Sequence, residues 1–129
     1  TLCNDYAIRD FLENYYRPNL RVKNRHSTTP VGPYIIDTAS IAEPNNLTLR
    51  TWVNGELRQE GTTADMIFNV PFLIEYISSF MTLQPGDMIA TGTPEGLSDV
   101  VPGDEVIVEV EGIGRLRNFI VSESTFFQK

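Results

Sequence analysis

At 129 residues the chain is one domain's worth of protein, long enough to bury a real core. Its 17 acidic and 10 basic residues give a formal net charge of -7, which argues against a nucleic-acid-binding face and against adsorption to an anionic membrane. No apolar run approaches the roughly 20 residues that span a bilayer. The single cysteine, Cys3, cannot form an internal disulfide, so a cytoplasmic protein is the expectation.

Residues 1–4 read as the end of a strand. Asn4 or Asp5 is then a good N-cap, and Ile8, Phe11, Leu12 and Tyr15 at i, i+3, i+4 and i+7 predict a short amphipathic helix ended by Pro18. From spacing alone, a helix cap is the plainer reading of Asp5. The start is directly apolar, without the solvated lead-in usual at a domain's edge, so the chain is expected to be a piece of a longer protein.

Residues 17–33 read as a loop punctuated by Pro18, Pro30 and Pro33. Four of the ten basic residues lie within it: Arg17, Arg21, Lys23 and Arg25. A solvated face explains such a cluster, but like charges repel and an acidic chain has no general need to gather them. The only histidine, His26, is left without a role. A carboxylate at one end of this stretch and concentrated positive charge at the other suggest a site for a metal and an anion.

Residues 34–36 read as a short strand and 37–46 as a turn-rich connector. Leu47, Leu49, Thr51 and Val53 alternate against Thr48, Arg50 and Trp52, a half-buried strand. Asn54-Gly55 is the strongest hairpin signal, since both residues tolerate the positive φ of a type I′ turn, with 57–59 returning. Asn69 caps a second helix with Pro71 in its first turn. Val70, Leu73, Ile74, Ile77 and Met81, widened by Phe72, Tyr76 and Phe80, predict burial around much of that helix. Thr63, Asp65 and Met66 lead into it, as part of a site or as a plain loop.

The last third reads as β. Pro85-Gly86-Asp87 and Pro102-Gly103-Asp104 are two copies of one turn, each feeding a strand. Val106, Val108 and Val110 alternate with Glu105, Ile107 and Glu109, and 112–114 turns into a strand over 115–121. The whole predicts a mainly β chain with few short helices (α+β), its sheet rolled or barrel-like rather than doubly wound.

For chemistry, Gly92 and Thr93 follow a strand, where glycine lets backbone approach a ligand and a hydroxyl can hold a carboxylate oxygen. The T-G-T-P-E-G run lacks the G-K-[ST] ending of a P-loop. There is no G-x-S-x-G elbow and no Cys/His spacing for zinc, and a Ser-His-Asp triad has no local signature. What remains is an all-oxygen site for a hard divalent cation, Mg²⁺ or Mn²⁺, with a lysine nearby. No convincing second carboxylate accompanies Asp5.

Several motifs together carry a family resemblance: N-D-x-x-x-R-D at 4–10, Lys23 followed by P-V-G-P at 30–33, V-N-G-E at 53–56, Q-E-G-T-T-A-D-M-I-F at 59–68 and L-Q-P-G-D-M-I-A-T-G-T-P-E-G at 83–96. In this order, and over nearly the whole chain, they resemble the fumarylacetoacetate hydrolase family. The resemblance implies the mixed β-roll or barrel of that family's C-terminal domain, here N-terminally truncated, working as a homo-oligomer or paired with a second family-like half. It implies Mg²⁺ or Mn²⁺ held by a Glu-x-Glu pair and an aspartate, with Asp5 matching the aspartate, Lys23 the active-site lysine, and Gly92 and Thr93 the loop that holds a substrate carboxylate. The run over residues 5–25 looks like the members that remove CO₂ from 5-carboxymethyl-2-oxo-hex-3-ene-1,7-dioate and isomerise 2-hydroxyhepta-2,4-diene-1,7-dioate in aromatic catabolism. Acylpyruvate hydrolysis and oxaloacetate decarboxylation are the alternatives within the family, and Leu12, where many members carry glutamine, disfavours the former. A 2-oxo acid offers carbonyl and carboxylate oxygens to such a cation, a Lewis acid for the enolate that loss of CO₂ leaves. Lys23 can add charge or move a proton. A multiply charged substrate also gives Arg17, Arg21 and Arg25 a reading as carboxylate clamps. The Glu-x-Glu segment, which precedes the aspartate in the family, is missing here, so an inactive fragment is the competing expectation.

Overall fold

The computed structural model describes residues 1–9 and 20–128. Its main element is a four-stranded antiparallel sheet built from β3 (Thr48–Val53), β4 (Glu56–Thr62), β5 (Glu105–Val110) and β6 (Gly114–Phe119), in the spatial order β4-β3-β5-β6. The Asn54-Gly55 hairpin forms as its sequence predicts, with φ of 51° and 81° at the two turn residues.

Register explains how this sheet is held. Gln59, Thr51, Val108 and Leu116 lie opposite one another in one row across the four strands, and all four are buried. The next row reads Glu60, Arg50, Glu109, Arg115, alternating in sign. Arg50 pairs with Glu60 at 2.7 Å and Arg115 with Glu109, with Arg117–Glu105 beside them. The period of two along each strand thus separates a buried inner face from a charge-complementary outer one. The inner face meets Leu2 and Ile113, which with Val108 and Leu116 form the core, packed against Ile36, Ile41, Leu47 and Val110.

A second, two-stranded sheet pairs β1 (Leu2–Cys3) with β2 (Val31–Gly32). Beyond β1 the chain stays extended: the amides of Asn4, Tyr6 and Ile8 donate to the carbonyls of Pro30, Thr28 and Val22 at 3.1, 2.9 and 3.0 Å. The helix expected to open at Asn4 or Asp5 therefore does not start there. Leu2, Asn4, Tyr6 and Ile8 are buried or half-buried while Asp5, Ala7 and Arg9 are exposed, the alternation of a strand. The remainder of that expected helix, with Phe11, Leu12, Tyr15 and Pro18, lies outside the described residues.

Other differences have local reasons. A helical turn, α1 (Leu20–Lys23), stands where a loop was expected. Residues 34–36 are irregular; the strand comes earlier, at β2, where β1 offers a partner. The twin Pro-Gly-Asp turns form with the same bonds: Asp87 Oδ2 accepts from Gln84 N and Asp104 Oδ2 from Val101 N, each at 2.8 Å. Only the second feeds a strand, because Glu105 runs onto β3 whereas residues 88–90 pair with no strand among the described residues.

Helix α2 (Val70–Ser78) is capped as expected, Asn69 Oδ1 accepting from Phe72 N at 2.9 Å. Its burial is not as expected. Val70, Leu73 and Ile77 are half-buried, but Phe72, Ile74, Tyr76, Phe80 and Met81 are exposed. Phe68, Phe72 and Tyr76 instead stack in succession, with ring centroids 4.7 and 6.1 Å apart, and Phe80 meets Tyr76 edge-on at 5.5 Å. Periodicity marked the apolar residues correctly; what it could not supply is enough neighbouring surface to cover all of them. A last short helix, α3 (Glu123–Phe126), follows β6. The architecture is thus mainly β with few short helices, and no barrel closes among the described residues.

Asp104 joins the Asn54-Gly55 hairpin to the turn that feeds β5, accepting from Asn54 Nδ2 at 2.8 Å and from Val101 N. These two bonds hold its carboxyl below the ordinary carboxylate value. A depressed folded value contributes stability above the unfolded carboxylate range that is lost as pH falls through the lowered value. Urea midpoints should therefore fall between about pH 6 and about pH 3, and Asp104→Asn should flatten part of that drop.

Candidate active site

The two residues that the sequence set 18 positions apart meet directly. Lys23 Nζ lies 2.6 Å from Asp5 Oδ2 and 3.3 Å from the Asp5 carbonyl oxygen. The ladder described above sets one side, since Asp5 sits on its outward-facing positions. Helix α1 sets the other, delivering Lys23 at its last residue. Thr28 binds the two together. Its carbonyl accepts from Tyr6 N, and its hydroxyl lies 2.8 Å from the Lys23 carbonyl and 2.9 Å from that of Arg25. Asp5 is thus an ion-pair partner in an extended segment, not a helix cap.

Asp5 Oδ1 has no partner among the described residues, so the carboxylate keeps acceptor capacity beyond Lys23. Beside it, the Tyr6 hydroxyl is buried with no hydrogen-bond partner among the described residues, and burial pushes its pKa up to about 12.

Around this pair the basic cluster is already engaged in part. Arg25 Nη1 donates to Glu123 Oε1 at 3.1 Å, and Arg25 Nε reaches the Arg21 carbonyl at 3.5 Å. His26 stacks on Phe126 with ring centroids 6.4 Å apart and meets Phe127 edge-on at 5.6 Å. Arg17 lies outside the described residues.

Gly92 and Thr93 form a second cluster, which no contact among the described residues joins to the Lys23–Asp5 pair. Gln59 organises it. Its buried amide donates to Thr93 Oγ1 at 3.0 Å and to the Pro94 carbonyl at 2.7 Å. A buried amide without partners would cost about 1–3 kcal/mol, so these bonds fix the 93–96 loop against β4. With Thr93 Oγ1 accepting from Gln59, its own proton is free to be donated outward, the polarity an anionic oxygen requires. Gly96 completes the approach: at φ +102°, an added Cβ would come within 2.3 Å of the Arg58 carbonyl. Gln59 was not singled out from the sequence. Its strand, E-L-R-Q-E-G-T, is polar along most of its length, so no local pattern set Gln59 apart. Thr63, by contrast, is structural: it accepts from Leu47 N and donates to the Pro44 carbonyl, each at 2.8 Å.

For a divalent cation the donor set of this chain is short. No group of three His, Cys, Asp or Glu side chains able to hold a metal occurs among the described residues. Asp5 offers one carboxylate, and a hard cation needs more oxygen ligands than that.

Comparison with known proteins shows where this arrangement belongs. Residues 1–121 match the model of the fumarylacetoacetate (FAA) hydrolase C-terminal domain. The chain belongs to the fumarylacetoacetate hydrolase family. Over 125 residues it is 73% identical to a 4-hydroxyphenylacetate degradation bifunctional isomerase/decarboxylase of Salmonella dublin, covering 97% of this chain and 29% of that protein. Among solved structures of the family it is similar to a 2-hydroxyhepta-2,4-diene-1,7-dioate isomerase from Mycobacterium marinum, with TM-score 0.83, 40% identity, and coverage of 92% of this chain and 46% of that one. It is also similar to a maleylpyruvate hydrolase from Sphingobium sp. SYK-6 in complex with manganese(II) and pyruvate, with TM-score 0.78, 39% identity, and coverage of 81% and 40%. The chain therefore spans less than half the length of each of these relatives.

Tyr6 gives a direct check on the packing beside Asp5. Its raised value means that stability is fully present below about pH 10 and lost as pH rises through about 12. Tyrosinate absorbance should show one late-titrating group that disappears in Tyr6→Phe. Since the hydroxyl removed is unpartnered, that variant should be as stable as the parent or gain up to about 1 kcal/mol in urea unfolding.

Proposed function

We propose that this chain supplies the Lys23–Asp5 portion of an active site for a small anionic 2-oxo acid. The enzyme decarboxylates 5-carboxymethyl-2-oxo-hex-3-ene-1,7-dioate and isomerises 2-hydroxyhepta-2,4-diene-1,7-dioate in the cytoplasm, in aromatic (4-hydroxyphenylacetate) catabolism. The observation that carries this reading is the 2.6 Å contact between Lys23 Nζ and Asp5 Oδ2, formed in a chain 73% identical to a bifunctional isomerase/decarboxylase.

In this proposal the Lys23 ammonium holds an anionic oxygen of the substrate and moves a proton at Nζ, with Asp5 aiming it. Thr93 donates its hydroxyl proton to a carboxylate oxygen, Gly92 lets the backbone come close, and Arg17, Arg21 and Arg25 bring positive charge to the substrate's remaining carboxylates. The cation is divalent, as in the manganese-bound relative, and Mg²⁺ is the reading we favour. Asp5 is its candidate ligand among the described residues, and in this proposal the other oxygen ligands lie outside them. The exposed aromatic stripe of α2 fits the same picture, as a surface for a second copy or a second family-like half.

Two measurements test this. CO₂ release and diene absorbance, followed with Mg²⁺ and with Mn²⁺ on the polypeptide that carries this chain, should fall about 10²-fold or more in Lys23→Ala. Asp5→Ala should be impaired comparably, and turnover intact in both variants would overturn the assignment. Cleavage of an acylpyruvate without CO₂ release would favour hydrolysis instead. Titration of Mn²⁺ into the 129-residue chain alone should give a dissociation constant weaker than roughly 100 μM; micromolar binding would show that the chain holds a complete site.

A further inference from the structure

We propose that α3 is a latch that positions Lys23, with Glu123, Phe126 and Phe127 as positioning residues. The inference rests on the reading of Lys23 as the working ammonium group of the site.

Two independent contacts join α3 to consecutive residues just beyond Lys23. Glu123 accepts from Arg25, 98 positions away in sequence, and the His26 ring packs against both Phe126 and Phe127, which themselves meet edge to face at 5.2 Å. Ser122 fixes the start of α3, its hydroxyl accepting from Thr125 N at 3.2 Å. The gripped turn is not free to move alone. Through Thr28 it is tied to the Lys23 carbonyl on one side and to Tyr6 N, next to Asp5, on the other. Displacing Arg25 and His26 therefore disturbs both partners of the 2.6 Å ion pair. The family model ends at residue 121, so α3 lies beyond the part of the chain that model matches.

The two contacts differ in weight. The ion pair is partly exposed, and such pairs contribute little. Aromatic contacts persist at any salt concentration and fix ring orientation. The rings should therefore matter more than the charge.

The test uses the fact that Lys23 and Lys129 are the only lysines. Reductive ¹³C-methylation of the chain gives one NMR signal for each lysine, besides that of the α-amine. In Phe126→Ala/Phe127→Ala the Lys23 signal should move to the position of a free lysine, while the sheet amides stay in place. Turnover of the polypeptide carrying the same change should fall about 10-fold, in kcat rather than KM. Glu123→Gln should shift the signal the same way by less, with Glu123→Asp restoring it, and this pair carries the test if the double variant does not fold. An unmoved Lys23 signal in a folded variant overturns the latch, whatever Lys23→Ala does to turnover. A signal that moves with kcat unchanged supports the latch and overturns the catalytic reading of Lys23.

Discussion

The short antiparallel run in which residues 2–8 lie against 22–32 is the constraint on which the candidate site depends. It begins in the core, where Leu2 packs on Val108, Ile113 and Leu116 of the main sheet and its hairpin. It then leaves the core through a ladder of backbone bonds ending at Ile8 and Val22. Strand periodicity turns Asp5 outward because Leu2, Asn4 and Tyr6 turn inward. The partner strand brings the basic loop alongside, so the chain's anchoring and the meeting of Lys23 with Asp5 are one event.

The ion pair itself cannot be what holds this region together. Lys23 and Asp5 are both partly exposed, and such pairs contribute about 0–1 kcal/mol after desolvation and side-chain ordering. The backbone bonds and the burial of Leu2 would persist without it. The 2.6 Å contact is enforced from both sides by backbone geometry and Thr28 rather than by its own strength. The outer face of the main sheet offers the contrast: there, charges alternate across four strands and serve pairing and register.

Much of this was legible in the sequence where local rules act alone. Asn54-Gly55, the Asn69 cap and the valine alternation of 106–110 are each set by a few neighbouring residues, and each formed. The failures share one cause, which is that a partner decides. Leu2, Asn4, Tyr6 and Ile8 carry a strand pattern that overlaps the start of a helical stripe, and pairing with 22–32 selects the strand. Residues 88–90 follow the same turn as Glu105 but pair with no strand among the described residues. The aromatics of α2 are correctly apolar and simply uncovered. For the site, Asp5, Lys23 and Thr93 stood out by type and motif, and their geometry required the fold. Gln59 was missed because its meaning lies in the row it shares with Thr51, Val108 and Leu116.

That row shows how the sheet and the site are coupled. Three of its four members are satisfied by packing or by the strand ladder, but Gln59 ends the row at the edge strand, where its amide must find acceptors. The acceptors it finds are Thr93 Oγ1 and the Pro94 carbonyl, which covers the edge and orients the loop in the same step. Because the amide nitrogen can only donate, Thr93 must accept from it, and the hydroxyl proton is left for an outside oxygen. A glutamate at this position would reverse that polarity, since a carboxylate accepts from the hydroxyl and repels an anionic ligand. An apolar residue would free the hydroxyl to rotate toward the backbone. The polarity of the Thr93 hydroxyl is thus set from within the sheet, by the buried Gln59 side chain.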